Sequence, residues 1–162
     1  MTTQTELKLI TALRSMAALH DLEAPHLRKL ASIAGEMAFP AGKIVYREGD
    51  VGEAMYLIQT GEVVIEMPVG EADYALVCTL GPGQLFGWSA LFPGRRKTAR
   101  ARVSKPVRVI AINTDRLRDL FRSDHGLEHV INQRITEVVA DRIKSTRRDL
   151  AKAFAPPTTE QV

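Results

Sequence analysis

A chain of 162 residues and 17.9 kDa, 45% hydrophobic and 25% charged, has the proportions of one globular domain with a real core, which excludes a disordered or collagen-like chain. Its net charge of +3 hides an uneven distribution, with 6 basic and 11 acidic side chains over residues 1–94 and 16 and 7 over residues 95–152. Such a split fits either an anionic partner for the second part or a solvated helix with self-paired charges.

From Glu6 to Leu19 the apolar residues Leu7, Ile10, Leu13, Met16 and Ala17 recur at three- and four-residue steps, which predicts an amphipathic helix. A second helix is predicted after Asp21 as cap, with Pro25 in its first turn and Leu27, Leu30, Ile33 and Ala34 as its apolar face, ending at Phe39-Pro40. From Gly42 to Asn113 the texture changes to short β-branched runs at 44–46, 63–65, 75–77 and 107–112, separated by turn formers at Gly49-Asp50, Gly61, Gly70, Gly81-Pro82-Gly83 and Gly87. Strands at such short, regular intervals predict an antiparallel roll or sandwich, and no helix-length segment between them suits a parallel sheet. Beyond Asn113 the chain reads as helical again. Thr114 is the expected cap, Leu117, Leu120 and Phe121 form one face, and an unbroken segment runs from about Gly126 to Phe154. At 1.5 Å per residue it reaches roughly 40 Å, longer than one small roll needs. Its stripe of Leu127, Ile131, Ile135, Val138, Val139 and Ile143 suits the domain surface or a twin helix in a dimer. Pro156-Pro157-Thr158-Thr159 reads as a frayed tail.

The single cysteine, Cys78, excludes an intrachain disulfide and a cysteine-based structural zinc site, and the N-terminus lacks the basic start and apolar run of a signal peptide. The expected location is the cytoplasm. No stretch approaches the roughly 18 consecutive apolar residues of a membrane-spanning helix.

The stretch Gly42-Lys43-Ile44-Val45-Tyr46-Arg47-Glu48-Gly49-Asp50, followed by Tyr56-Leu57-Ile58-Gln59-Thr60-Gly61-Glu62-Val63 and Gly81-Pro82-Gly83-Gln84-Leu85-Phe86-Gly87, resembles the cyclic nucleotide-binding domain, the sensor of the catabolite activator family. The resemblance covers roughly residues 20–150. It implies an α+β fold in which an antiparallel, jelly-roll-like β-roll is flanked by N-terminal helices and a long C-terminal helix. The expected organisation is a single domain over 1–154, with N-terminal helices over 1–38, the roll over 39–113, C-terminal helices over 114–154 and a flexible tail over 155–162.

The family's site is a phosphate-binding cassette, and the matching residues run FGWSALFPGRRKTARA from Phe86 to Ala101. In the family a glycine precedes a glutamate that accepts from the ribose 2′-hydroxyl, a short helix offers backbone N–H groups to the phosphate, and an arginine pairs with it. Gly87 and Ser89-Ala90-Leu91 match the glycine and the short helix. Trp88 stands at the glutamate position, where an indole N–H can only donate. Lys97, followed by Thr98-Ala99, stands at the arginine position, keeping the charge without the bidentate fork. Arg95 and Arg96 are the alternatives if the loop bends. The ligand-binding residues implied are therefore Gly87, Trp88, Ser89, Ala90, Lys97 and Thr98, with a cyclic nucleotide or another small anion as ligand. The competing expectation is a ligand-free scaffold in which Trp88 plugs the pocket.

Other chemistries fit poorly. Gly87-Trp88-Ser89-Ala90-Leu91 resembles a Gly-x-Ser-x-Gly elbow only faintly, since its fifth residue is Leu and its strand–helix–strand context is missing. A metal-bearing roll lacks histidines between Gly42 and Asn113, and His125 and His129 share a spacing that alone indicates a solvated helix start. No catalytic residue, metal or cofactor is assigned. Relatives in the catabolite activator family carry a helix-turn-helix module after the long helix, for which the eight residues beyond Phe154 leave no room. Arg142, Lys144, Arg147, Arg148 and Lys152 interleave with Glu137, Asp141 and Asp149 at spacings that favour intrahelical pairing, so specific DNA binding is not expected. The expected partners are a small anion and either a second copy of the chain, through the C-terminal helix, or another protein.

Overall fold

The computed structural model describes residues 3–92 and 94–154. Helix α1 (Gln4–Ser15) starts at Thr3, whose hydroxyl accepts from the Glu6 N–H while the Glu6 carboxylate accepts from the Thr3 N–H, a reciprocal capping box. The helix ends four residues before the predicted limit. From there Met16, Leu19 and Leu22 each donate to the carbonyl three residues back and are buried, so tight turns keep every third side chain facing the core. Helix α2 (Ala24–Ser32) has Glu23 at its N-cap with no side-chain bond. The expected cap, Asp21, instead accepts from Arg134 at 2.6 Å, because a guanidinium offers its carboxylate a stronger, charge-assisted bond than a backbone amide does.

The sequence pattern extends the second helix to Phe39-Pro40 and starts the roll at residue 39. The structure corrects this: Ala34–Phe39 forms strand β1, paired antiparallel with residues 107–112. The edge of a long strand satisfies the backbone groups of that segment outright. Strands β2 (Ile44–Tyr46), β3 (Ala54–Val69), β4 (Asp73–Leu80), β5 (Leu85–Phe86) and β6 (Arg100–Asn113) complete one antiparallel sheet. Its order is β1-β6-β3-β4, with β2 also on β6 and β5 also on β3. The fold is the expected α+β roll.

Gly61 is not a turn, as the sequence suggested, but a kink within β3. Its φ is +92°, and a Cβ there would sit 2.2 Å from the Pro106 carbonyl oxygen. The register between β3 and β6 shifts on both sides of it. Both long strands thus bend where their backbones touch, and the sheet folds over itself. Strand alternation then divides the core. Met55, Leu57, Ile110 and Ile112 face the helices and join Leu13, Leu27, Leu117, Leu127 and Ile131. Ile58, Val63, Ile65, Phe86, Val103 and Val109 fill the roll.

Helix α3 (Thr114–Ser123) is capped by Asn113, whose side-chain oxygen accepts from the Arg116 N–H at 2.9 Å. Thr114, the predicted cap, is the first helical residue and is buried. Helix α4 (His125–Phe154) has 30 residues and is about 45 Å long. Leu127, Ile131 and Ile135 are buried and Val138 and Val139 pack on the helical core, but Ile143 is 51% exposed. The predicted stripe therefore serves the domain in its first half and is uncovered beyond. His125 and His129 are exposed. The predicted tail over 155–162 lies outside the described residues. Among the described residues no helix is long and apolar enough to cross a membrane.

Replacing Gly61 with Ala forces an L side chain into the left-handed region and against backbone that cannot yield. The expected loss of stability is about 2–4 kcal/mol, against about 1 kcal/mol for Gly83→Ala, whose φ is also positive but whose Cβ position is open. Urea denaturation compares the two, and equal losses contradict the role given to the crossing.

Candidate functional site

The cassette begins where β5 ends. Gly87 adopts φ +80° and caps a short 3-10 helix, Trp88–Leu91, and a Cβ on it would lie 3.2 Å from the Ala54 carbonyl oxygen and from the Tyr56 ring. Glycine is thus needed both for the turn and for the close approach. The far end of the helix is held by α3, whose Arg118 donates to the carbonyls of Ala90 at 2.9 Å and Leu91 at 3.1 Å. The return segment is laced to the β2–β3 loop: Gly49 N–H donates to the Lys97 carbonyl at 2.7 Å, Lys97 N–H to the Asp50 carbonyl at 2.9 Å, and the Arg96 guanidinium to the Gly49 carbonyl at 2.8 Å.

This lacing pulls Lys97 inward until it is only 6% exposed. Its Nζ donates to Ser89 Oγ at 2.8 Å and to the Gly87 carbonyl at 3.1 Å, and stands 4.4 Å from the centre of the Tyr46 ring. All three neighbours are neutral. Desolvation without a paired anion therefore pulls the amine's pKa down to about 8. Burial likewise pushes the Tyr46 phenol up to about 12, so it stays neutral.

The side chains converge on a cavity of about 240 Å³, lined by Tyr46, Gly87, Trp88, Ser89, Lys97, Thr98 and Arg142, among others. Five of the six residues expected at the ligand are therefore brought together. Ala90 is not: it is buried facing the β2–β3 loop, where a Cβ on Gly52 would come within 2.8 Å of it. Arg95 and Arg96 do not replace Lys97 either, because Arg95 lies 5.8 Å over the Phe92 ring and Arg96 is bound to Gly49. The cluster of five basic residues over 95–102 also does not act as one patch. Arg100 and Arg102 pair with Glu66 at 3.1 and 2.9 Å on the outer face, where their bonds hold its carboxyl below the usual range.

Trp88 is half-buried and packs against the helical core rather than inside the roll. It forms a wall of the cavity. Over its ring, 4.2 Å from the centre, lies the guanidinium of Arg142, which also donates to the Leu85 carbonyl. The sequence reading grouped Arg142 with the solvated charges of the last helix. Yet it falls four residues after Val138, on the inward stripe, and that spacing was the signal available. Burial lowers its pKa from the usual arginine value. The cavity thus has a cation from the cassette and a cation from α4, and no carboxylate among its described lining residues.

An unpaired buried cation gives stability a definite pH signature. The Lys97 amine has a folded pKa near 8 against an ordinary 10.5, so between those values the unfolded chain binds the extra proton and this group's contribution to stability rises with pH. Lys97→Met removes that contribution. The stability of the wild type relative to the variant is expected to increase from pH 8 to pH 10.5 by thermal or urea unfolding, and a constant difference rejects the unpaired, desolvated state of Lys97.

The family model of the cyclic nucleotide-binding domain matches residues 36–124. The chain is 28% identical over 113 residues to the CRP-like cAMP-activated global transcriptional regulator of Mycobacterium tuberculosis, a match that covers 70% of this chain and 49% of the regulator. It therefore spans about half the length of that relative. Among solved structures, a cyclic nucleotide-binding domain from Methylobacillus flagellatus superposes with a TM-score of 0.78 at 19% identity, over 94% of this chain and 86% of the other. The regulatory subunit of a cAMP-independent protein kinase A from Trypanosoma brucei gives 0.69 at 19% identity, over 83% and 48%. With the family match extending over more than half of its residues, this chain belongs to the cyclic nucleotide-binding domain family.

Proposed function

We propose that this chain is a non-enzymatic, ligand-sensing regulatory module that takes a small anion between its cassette and α4 and signals through that helix. The observation that carries this reading is a pair of cations, the buried Lys97 and the half-buried Arg142, that reach one cavity from two different elements with no carboxylate among its described lining residues. Buried charge without a counter-charge is costly, and an anion offsets that cost. Because Arg142 belongs to α4 and rests on the cassette's Trp88, an anion that draws it inward favours one position of the helix. That differential affinity is what makes a ligand a signal.

A cyclic nucleotide fits this cavity less well than a compact anion does. The volume of about 240 Å³ falls below the roughly 300 Å³ at which pockets for larger ligands begin. Trp88 supplies no acceptor for a ribose hydroxyl, and Lys97 no bidentate fork. Each loss weakens binding by about 1.5–3 kcal/mol, together about two to four powers of ten. A relative whose name describes activation by cAMP and a neighbour whose name describes independence from it agree with a fold whose ligand varies. The reading includes a cytoplasmic protein that pairs with a second copy through the uncovered part of α4, where Ile143 is exposed.

A second reading, a ligand-free interaction scaffold, has one observation in its favour: the Lys97 amine already donates to Ser89 and Gly87. Titration calorimetry and thermal unfolding of ligand-stripped protein with inorganic phosphate, cyclic AMP and cyclic GMP separate the two. Phosphate is expected to raise the melting temperature by several degrees at saturation and Lys97→Glu to abolish the shift. Submicromolar cyclic nucleotide binding overturns the preference for a compact anion, and no response to any of the three supports the scaffold. Light scattering at micromolar concentration tests the pairing, and a mass near the 17.9 kDa of one chain rejects it.

A further inference from the structure

Lys97 is an amine whose hydrogen-bond partners, Gly87 and Ser89, are neutral and which borders two cavities. Besides the cavity of about 240 Å³ that it shares with Arg142, it borders a second of about 270 Å³ below the β2–β3 loop. The two differ in sign. Asp50, Glu53, Tyr46 and Tyr56 line the second cavity, whereas Tyr46, Ser89 and Arg142 line the first. An anion attached to Nζ is thus repelled on one side and attracted on the other.

We propose that Lys97 is a carbamylation site: its amine takes up carbon dioxide, and the resulting carbamate is the anion held between the cassette and Arg142. The inference rests on the anion-binding reading above and names its ligand. The uncharged amine donates its lone pair to the carbon of carbon dioxide. An N–C bond forms, one C–O π pair moves onto oxygen, and a nitrogen-bound proton leaves to solvent. No electron transfer or further reactant is needed. The remaining N–H still has the Gly87 carbonyl as acceptor, the Ser89 hydroxyl is free to turn and donate to a carbamate oxygen, and Arg142 supplies the counter-charge beside a lysine that is itself buried. Carbon dioxide, with three atoms, enters a space too small for a nucleotide.

Two further features favour this lysine over others. Among the described residues no carboxylate pairs with it, and burial lowers its pKa to about 8, so the reactive amine form is populated at mildly alkaline pH. Lys8 and Lys105, by contrast, have side chains 68% and 71% exposed and pair with Glu36 and Glu62, which makes them internal controls.

The test uses the full chain at pH 8 in 13C-labelled bicarbonate equilibrated with carbon dioxide. Carbamates are alkylated with a trialkyloxonium salt and mapped by peptide mass spectrometry. Trapping at Lys97 is expected to exceed that at Lys8 and Lys105 at least about tenfold and to drop about tenfold in Arg142→Gln, the scale of a lost charge-assisted bond. Equal trapping at the three lysines, or trapping unchanged in a folded Arg142→Gln protein, overturns the proposal. Should that variant not fold, mapping on the wild type decides. Phosphate stabilisation without a Lys97 adduct rejects the carbamate alone, and absence of both rejects the anion reading with it.

Discussion

The contact between Gly61 and the backbone of Pro106 is the constraint on which the rest of this fold depends. Two long antiparallel strands cannot bend together unless one of them lacks a side chain at the crossing, and a Cβ on Gly61 would lie 2.2 Å from a carbonyl oxygen. Because the crossing is so close, the halves of β3 and β6 lie in two arms of one sheet. One arm faces the helices. The other closes over Phe86 and Tyr46 to form the roll. The cassette leaves β5 at the join between the two, which puts its glycine, its short helix and its lysine where helical and strand layers meet.

At that join the protein maintains a local electrostatic imbalance. Lys97 is buried and Arg142 half-buried, each with lowered basicity caused first by desolvation, although carboxylates are plentiful in the chain and pair readily elsewhere. Glu66 pairs with both Arg100 and Arg102, Asp124 takes Lys29, and Asp21 takes Arg134. The contrast matters because uncompensated buried charge lowers stability, and strongly perturbed titratable groups cluster at functional sites. The cation from α4 is what gives the imbalance a mechanical consequence. Arg142 rests on the cassette's tryptophan, so the cavity wall and the seating of a 30-residue helix share one side chain.

Much of this was legible in the sequence, for a physical reason. Periodicity and turn chemistry are local, so the four helical segments, most strands and the turn at Gly87 follow from residues within a few positions of each other. The residues of the cassette are contiguous, and five of its six expected contacts meet at one cavity for the same reason. What the tertiary structure alone decided are the events between distant segments. Residues 34–39 read as the end of a helix but became a strand because β6 offered an edge. Gly61 read as a turn but became a kink because Pro106 lies across from it. Asp21 left its helix for Arg134, and the basic run over 95–102 was divided between Glu66 outside and the cavity inside. Arg142 lies 45 residues from Lys97, and only the packing of α4 against the roll brings the two cations to the same space. The sequence by itself determined the elements and the inventory of charges, since both are properties of short stretches. Which charges would be left without partners depended on burial and distance, and those exist only once the chain has folded.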